Sequence, residues 1–218
     1  MMQLEHGDFL LFVGDSITDA GRARDSWQGE GDGHLGQGYV NMVASLIAAR
    51  YPQRTIRMVN KGISGDTIRH LANRWREDVQ AASPSWLSVM IGINDVWRQF
   101  DMPGAKHLHI PLDEFERTYN ECLKSVRDEL KGLILLTPFF CDSNMLEPMR
   151  VMVERYASAV RRLAKRYDAI LVETQGPVDE LLKHYQSYRL AGDRVHPTQV
   201  GHAVLARQFL QAIGYEWH

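Results

Sequence analysis

A serine hydroxyl attacks a carbonyl carbon at neutral pH only when an imidazole takes its proton, and the imidazole needs a carboxylate to fix its tautomer and stabilise its cation. The chain carries these groups in two places. Asp193 and His196 lie three residues apart in Gly192-Asp193-Arg194-Val195-His196-Pro197 near the C-terminus, and Ser16 lies in Gly14-Asp15-Ser16 near the N-terminus. The spacing lets Asp193 reach one ring nitrogen of His196 while the other faces outward. With Ser16 brought alongside, the three residues make a nucleophile, a general base and an orienting carboxylate, which is the equipment of a serine hydrolase. Taken alone, Ser16 reads equally well as the N-cap of a helix.

Other reactive residue types are weaker candidates. Asp15 and Asp95 invite a paired-carboxylate reading, as in glycoside hydrolysis, but backbone hydrogen bonding that holds Ser16 and Asn94 in place is the better account. His107 and His109 have no His-x-x-x-His or cysteine partner, so no metal site is expected. Trp27, Trp97 and Phe100 are read as loop residues after the site segments. They suit stacking on a sugar ring, internal packing or contacts between copies of the chain, which leaves a homo-oligomer open. Cys122 and Cys141 form no Cys-x-x-Cys pair and are expected to be buried free thiols of a reducing compartment.

Positioning Ser16 beside His196 across nearly the whole chain requires a scaffold. Short apolar runs at 9–13, 56–59, 86–91, 133–137 and 169–173 predict five buried strands. Amphipathic segments over 39–49, 67–81, 112–130, 148–167 and 197–213 alternate with them. This is the pattern of a parallel sheet covered by helices on both faces. In such folds ligands collect at the carboxyl ends of the strands. Gly14-Asp15-Ser16, Asn60-Lys61-Gly62 and Gly92-Ile93-Asn94-Asp95 all fall there. The glycine-rich stretch from Gly29 to Gly36 matches no phosphate-binding pattern and is expected to be a loop at the rim.

Bulk properties narrow the function. The 218 residues suffice for one domain spanning 1–218, and 25 basic against 27 acidic side chains are dispersed without a basic block, which argues against nucleic acid. No apolar stretch approaches the roughly 20 residues of a membrane span, and the N-terminus lacks the positive charge of an export signal. The expectation is a cytoplasmic protein with no membrane partner.

The ordered blocks Gly14-Asp15-Ser16-Ile17-Thr18-Asp19, Asn60-Lys61-Gly62-Ile63-Ser64-Gly65-Asp66-Thr67, Gly92-Ile93-Asn94-Asp95 and Asp193-Arg194-Val195-His196-Pro197 resemble the SGNH hydrolases, also called GDSL esterases. Within that family Gly92-Ile93-Asn94-Asp95-Val96-Trp97-Arg98-Gln99 and Gly214-Tyr215-Glu216-Trp217 are most similar to acetylxylan esterase-like carbohydrate deacetylases. Ile17 stands where the name-giving motif has leucine, a volume-conserving change. The resemblance implies a three-layer α/β/α, flavodoxin-like fold with a central five-stranded parallel sheet. It makes Ser16 the nucleophile, His196 the base and then acid, and Asp193 its orienting carboxylate. The backbone N–H groups of Ser16 and Gly65 and the amide of Asn94 would form the oxyanion hole. Trp27 and Trp97 would lie at the substrate rim. The implied activity is cofactor-free deacetylation of small xylan-derived saccharides. Thioesterase or lysophospholipase activity, or non-catalytic carbohydrate binding, are the alternatives.

Overall fold

The computed structural model describes residues 2–24 and 33–217. Its five-stranded sheet has the order β2-β1-β3-β4-β5, with β1 at Phe9–Gly14, β2 at Arg57–Asn60, β3 at Trp86–Met90, β4 at Gly132–Leu136 and β5 at Ile170–Val172. Every pairing is parallel, and Leu10 of β1 lies opposite both Met58 of β2 and Trp86 of β3. Strands β3 and β4 are buried along their whole length, which explains their apolar sequences, interrupted in β3 by Ser88 alone. The edge strands β2 and β5 begin on less buried residues.

Helices flank the sheet: α1 Ser16–Asp19, α2 Tyr39–Arg50, α3 Ile68–Trp75, α4 Ile93–Asp101, α5 Leu112–Lys124, α6 Pro148–Arg166, α7 Gln175–Leu182, α8 Ser187–Leu190 and α9 Gln199–Ala212. Helix α2 packs on α9, and Phe12 of β1 closes that layer with Tyr39 and Phe209. A second group joins α3 to α5 and α6 to both α4 and α5, with Phe115 meeting Tyr119 and Tyr156. Among the described residues no helix is long and apolar enough to cross a membrane.

The five expected strands are present with ends shifted by a residue or two. The helix expected over 67–81 is α-helical only to Trp75 and continues as a wider π-turn, Arg76–Gln80, where the Ala81 N–H bonds the Arg76 carbonyl at 3.0 Å. Leu71, Trp75 and Val79 recur every four residues, a spacing that drifts around a 3.6-residue helix; the wider turn brings Val79 back into the core. The segment expected over 112–130 leaves α-helix at Lys124. Helices α4, α7 and α8 fall outside the expected segments, and the helix that the N-cap reading of Ser16 implies is present as α1, capped one residue earlier by Asp15. For α4 the spacing of Ile93, Val96, Trp97 and Phe100 carries the helical signal, but no capping serine or proline marks its start.

The order 2-1-3-4-5 places the topological switch point between β1 and β3, because their chain connections leave toward opposite sides of the sheet. The crevice outside those two strand ends is where an open α/β sheet holds a ligand.

Candidate active site

Ser16 is the first residue of α1, directly after β1. The turn is tight: Asp15 is the N-cap, and its Oδ1 accepts the Ile17 N–H at 3.0 Å. Gly14 permits this close packing, since a Cβ there would lie 2.3 Å from the Met90 carbonyl oxygen and 2.4 Å from the Thr18 hydroxyl. As the first helical residue, Ser16 has a main-chain N–H without an intrahelical acceptor.

Across the crevice, the Ser16 hydroxyl lies 2.8 Å from His196 Nε2, and His196 Nδ1 lies 2.6 Å from Asp193 Oδ2. With the carboxylate accepting from Nδ1–H, Nε2 is left as acceptor for the Ser16 proton. The other carboxylate oxygen, Oδ1, accepts the N–H groups of Val195 at 2.9 Å and His196 at 2.8 Å. Burial pushes the Asp193 carboxyl up, but the hydrogen bonds from the His196 ring and these amides outweigh it and hold the group below the usual carboxylate range. The loop is anchored by buried Val195, by a bridge between Ala191 and Pro197, and by the Cys141 N–H bonded to the Arg194 carbonyl at 2.8 Å. Arg194, in the left-handed region at φ 67°, pairs with Asp142 at 2.7 Å. Trp97 meets the His196 ring edge-on at 5.6 Å between centroids.

Gly65 and Asn94 are brought to the same edge. Gly65 occupies a turn with φ of 86°, and a Cβ there would meet nothing within 4 Å; its need is for backbone conformation rather than space. Asn94, in the first turn of α4, donates from Nδ2 to the Asp66 carbonyl at 2.9 Å, leaving its second amide hydrogen uncommitted to that bond. Its neighbour Asp95 accepts the Ile68 N–H at 3.0 Å. Two consecutive residues of α4 therefore clamp the turn that carries Gly65.

Four supporting residues escaped sequence reasoning. Arg74 ties the end of β1 to the loop after β2, donating to the Gly14 carbonyl, the Lys61 carbonyl and the Asp66 carboxylate at 3.1, 2.8 and 2.7 Å. Asp19 accepts from the amide and hydroxyl of Ser64 and from Arg24; burial raises its carboxyl, and these bonds more than reverse the effect. Asn60 donates to the Thr18 and Leu35 carbonyls. His202 of α9 accepts the Tyr39 N–H at Nδ1, at 3.2 Å, capping α2 from another helix; burial lowers its pKa to about 4. The first two blocks contain Asp19 and Asn60, so position in a motif was a usable signal. Nothing local distinguishes Arg74 or His202 from ordinary helix residues.

The remaining expectations divide. Asp15 and Asp95 hold backbone amides as expected and are buried, so they do not flank a crevice as hydrolytic acids would. Asp66 precedes α3 and Thr67 is its N-cap. Both cysteines are buried free thiols, each pushed up to about 12 by burial. Trp97 and Phe100 lie on α4 rather than in a loop: Ile93 and Val96 bury one side of that helix and Trp97 packs against the core, while Phe100 is exposed. His107 falls in a short 3-10 turn, and His109 faces the Met102 carbonyl at 3.0 Å. Among the described residues no group of three or more His, Cys, Asp or Glu side chains is placed to hold a metal ion. Trp27, and most of the glycine-rich stretch before Gly36, lie outside the described residues.

A doubly wound sheet with a serine, histidine and aspartate in hydrogen-bonded sequence at its switch point defines a serine hydrolase site. Residues 12–204 match the GDSL-like lipase/acylhydrolase family, and the chain belongs to it. An acetylxylan esterase of Geobacillus stearothermophilus is 49% identical over 217 residues, covering 99% of this chain and 98% of its own. The crystal structure of that esterase, Axe2, superposes with a TM-score of 0.96 over the same shares of both chains. Structures of its catalytic mutants, with a serine, a histidine or an aspartate changed to alanine, are equally similar at TM-score 0.96. LAE5, an alpha/beta hydrolase from the metagenome of Lake Arreo in Spain, is 44% identical, covers 99% of each chain and has a TM-score of 0.95.

Proposed function

We propose that the protein is a serine esterase that removes acetyl groups from xylo-oligosaccharides. The observation that carries this reading is the continuous relay from Ser16 through His196 to Asp193, at 2.8 and 2.6 Å, in a chain matched end to end by an acetylxylan esterase. Ser16 Oγ attacks the acetyl carbonyl while His196 Nε2 takes its proton. His196 then returns that proton to the departing sugar oxygen as the C–O bond breaks, leaving an acetyl-serine. In the second half His196 removes a proton from water, the hydroxide oxygen bonds to the acetyl carbon, and Ser16 leaves with the proton. Asp193 keeps the ring oriented and stabilises its cation throughout.

The oxyanion of each tetrahedral intermediate is assigned to the N–H groups of Ser16 and Gly65 and the Asn94 amide. The free first-turn amide of Ser16 and the bond joining Asn94 to the Gly65 turn support this assignment. Trp97, beside His196, is assigned to the rim facing the sugar.

The test is acetate release from acetylated xylobiose and xylotriose, followed together with glycosidic chain length. Acetate should appear while the xylose chain stays intact. With a common leaving group, kcat/KM should fall from acetyl to butyryl to octanoyl esters, since an enzyme matched to acetyl groups gains nothing from added methylenes that must be packed beside Ser16. Preference for octanoyl esters, or untouched acetylated saccharides, would replace this reading with a lipid or thioester substrate.

A further inference from the structure

Asp15 and Asp95 follow directly on from the catalytic crevice, as chain neighbours of Ser16 and Asn94, and are 1% and 0% exposed. Each uses Oδ1 to accept one main-chain N–H, from Ile17 and Ile68 respectively, both at 3.0 Å. Each leaves Oδ2 buried without a hydrogen-bond partner. An ionised carboxylate has about four acceptor sites, and burying it with a single hydrogen bond is strongly unfavourable.

The surrounding charges do not neutralise the two groups. From the loop after α8, His196 faces Asp15; Asp66, before α3, also acts on it but is bonded to Arg74. Arg69 of α3 acts on Asp95 from a distance, its guanidinium committed to Glu114 of α5. Tyr39 of α2 senses Asp15 and Tyr156 of α6 senses Asp95, both phenols held neutral by burial. Asp15 itself opposes the charge of Asp95. Meanwhile the proposed reaction builds a full negative charge on the substrate oxygen at the donors next to both carboxyls. Two anions beneath it would oppose what the donors supply.

We propose that Asp15 and Asp95 are positioning residues of the oxyanion hole that act as a carboxyl pair: each holds one donor-bearing turn through Oδ1, and between them they retain a proton while the enzyme turns over. Burial, which lifts both groups to about 7, accords with this. The pair thus resolves two demands, since the turns need a carboxyl oxygen as acceptor and the oxyanion needs little negative charge nearby.

The experiment follows kcat/KM for p-nitrophenyl acetate with the full chain from about pH 6 to about pH 9, where a descending limb reports an essential acid of the free enzyme. The wild-type value should fall at least tenfold toward the alkaline end as the last proton leaves the pair. Asp15→Asn and Asp95→Asn each keep the acceptor and leave one carboxyl only, so either change should abolish that fall. Asp95→Ala removes the acceptor and should lower kcat at every pH, with Asn restoring it. Infrared difference spectra supply a readout that needs no variant: a protonated-carboxyl carbonyl band should persist in the wild type at pH 7, above the titration of exposed carboxylates, and vanish over the same range as activity. A fall unmoved in both Asn variants, or no such band at pH 7, overturns the proposal. Because the assay uses an activated ester, this result is independent of whether the natural substrate is a saccharide.

Discussion

The two sides of the catalytic crevice are held by opposite means. On the nucleophile side, Ser16 and Asn94 lie in the first turns of helices that follow central strands, and their neighbours Asp15 and Asp95 are buried. On the acid–base side, the side chains of Asp193 and His196 are 42% and 44% exposed on a loop. The difference follows from what each side must do. The donors proposed for the oxyanion would act through fixed direction, which suits their place in the interlocked ends of the sheet. His196 must exchange protons with a sugar oxygen and then with water, so it stands open to both. Even so, the loop is held by Val195, the Ala191–Pro197 bridge and the bonds within Asp193-x-x-His196.

The severest test removes the chemistry from either side. Ser16→Ala and His196→Ala should each lower kcat for p-nitrophenyl acetate by about 10⁴–10⁶, because residues that act as a unit fail together; Asp193→Ala should retain somewhat more. Near-normal turnover by Ser16→Ala would remove the nucleophile assignment and the contrast with it. A smaller effect should separate donors from binding groups. Asn94→Ala is expected to cost about 10²–10³ in kcat with little change in KM, so a loss confined to KM would make Asn94 a substrate ligand.

A third test uses acid stability to probe the buried framework. His202 stays neutral in the fold down to about pH 4, whereas an unfolded histidine protonates near 6.5. The unfolded chain therefore binds more protons in that window, and the His202 contribution is lost as pH falls from about 6.5 to about 4, on the order of 3 kcal/mol in total. Asp15 and Asp95 work in the opposite sense. Their raised values add stability that is present at acid pH and lost as pH rises toward about 7. Urea unfolding of wild type and His202→Gln isolates the histidine: the stability gap should narrow as pH drops toward 4, and a constant gap would show that His202 does not titrate there.

The mildest comparison adds one methyl group to each side. Gly14→Ala puts a Cβ 2.3 Å from a main-chain oxygen and should destabilise by at least about 1–3 kcal/mol. Gly192→Ala, beside Asp193, meets nothing within 4 Å and should change stability by no more than about 0.5 kcal/mol. Thermal melting of the two variants checks both, and equal losses would erase the distinction between a packed side and an open one.

Much of this molecule is legible in its sequence. The central strands announced themselves because burial on both faces demands unbroken apolar runs, as in Leu133, Ile134 and Leu135. Asp193 and His196 were legible because three residues of spacing suffice for their bond, and Ser16 because it sits in a short motif at a strand end; Gly65 and Asn94 lie at that same edge, and their role as donors stays a proposal. Helix α4 was not, since its apolar spacing spans only nine residues without a cap that marks its start. What tertiary structure alone decided is the convergence: Ser16 meets His196 across 180 positions, and His202 caps α2 across 163. Arg74 binds carbonyls at the ends of two strands, and Asp15 and Asp95 are buried with one carboxyl oxygen each left without a hydrogen-bond partner. Local sequence encodes propensity and short-range hydrogen bonds, whereas desolvation and long-range contact arise only when the parallel sheet assembles its strand ends in one place.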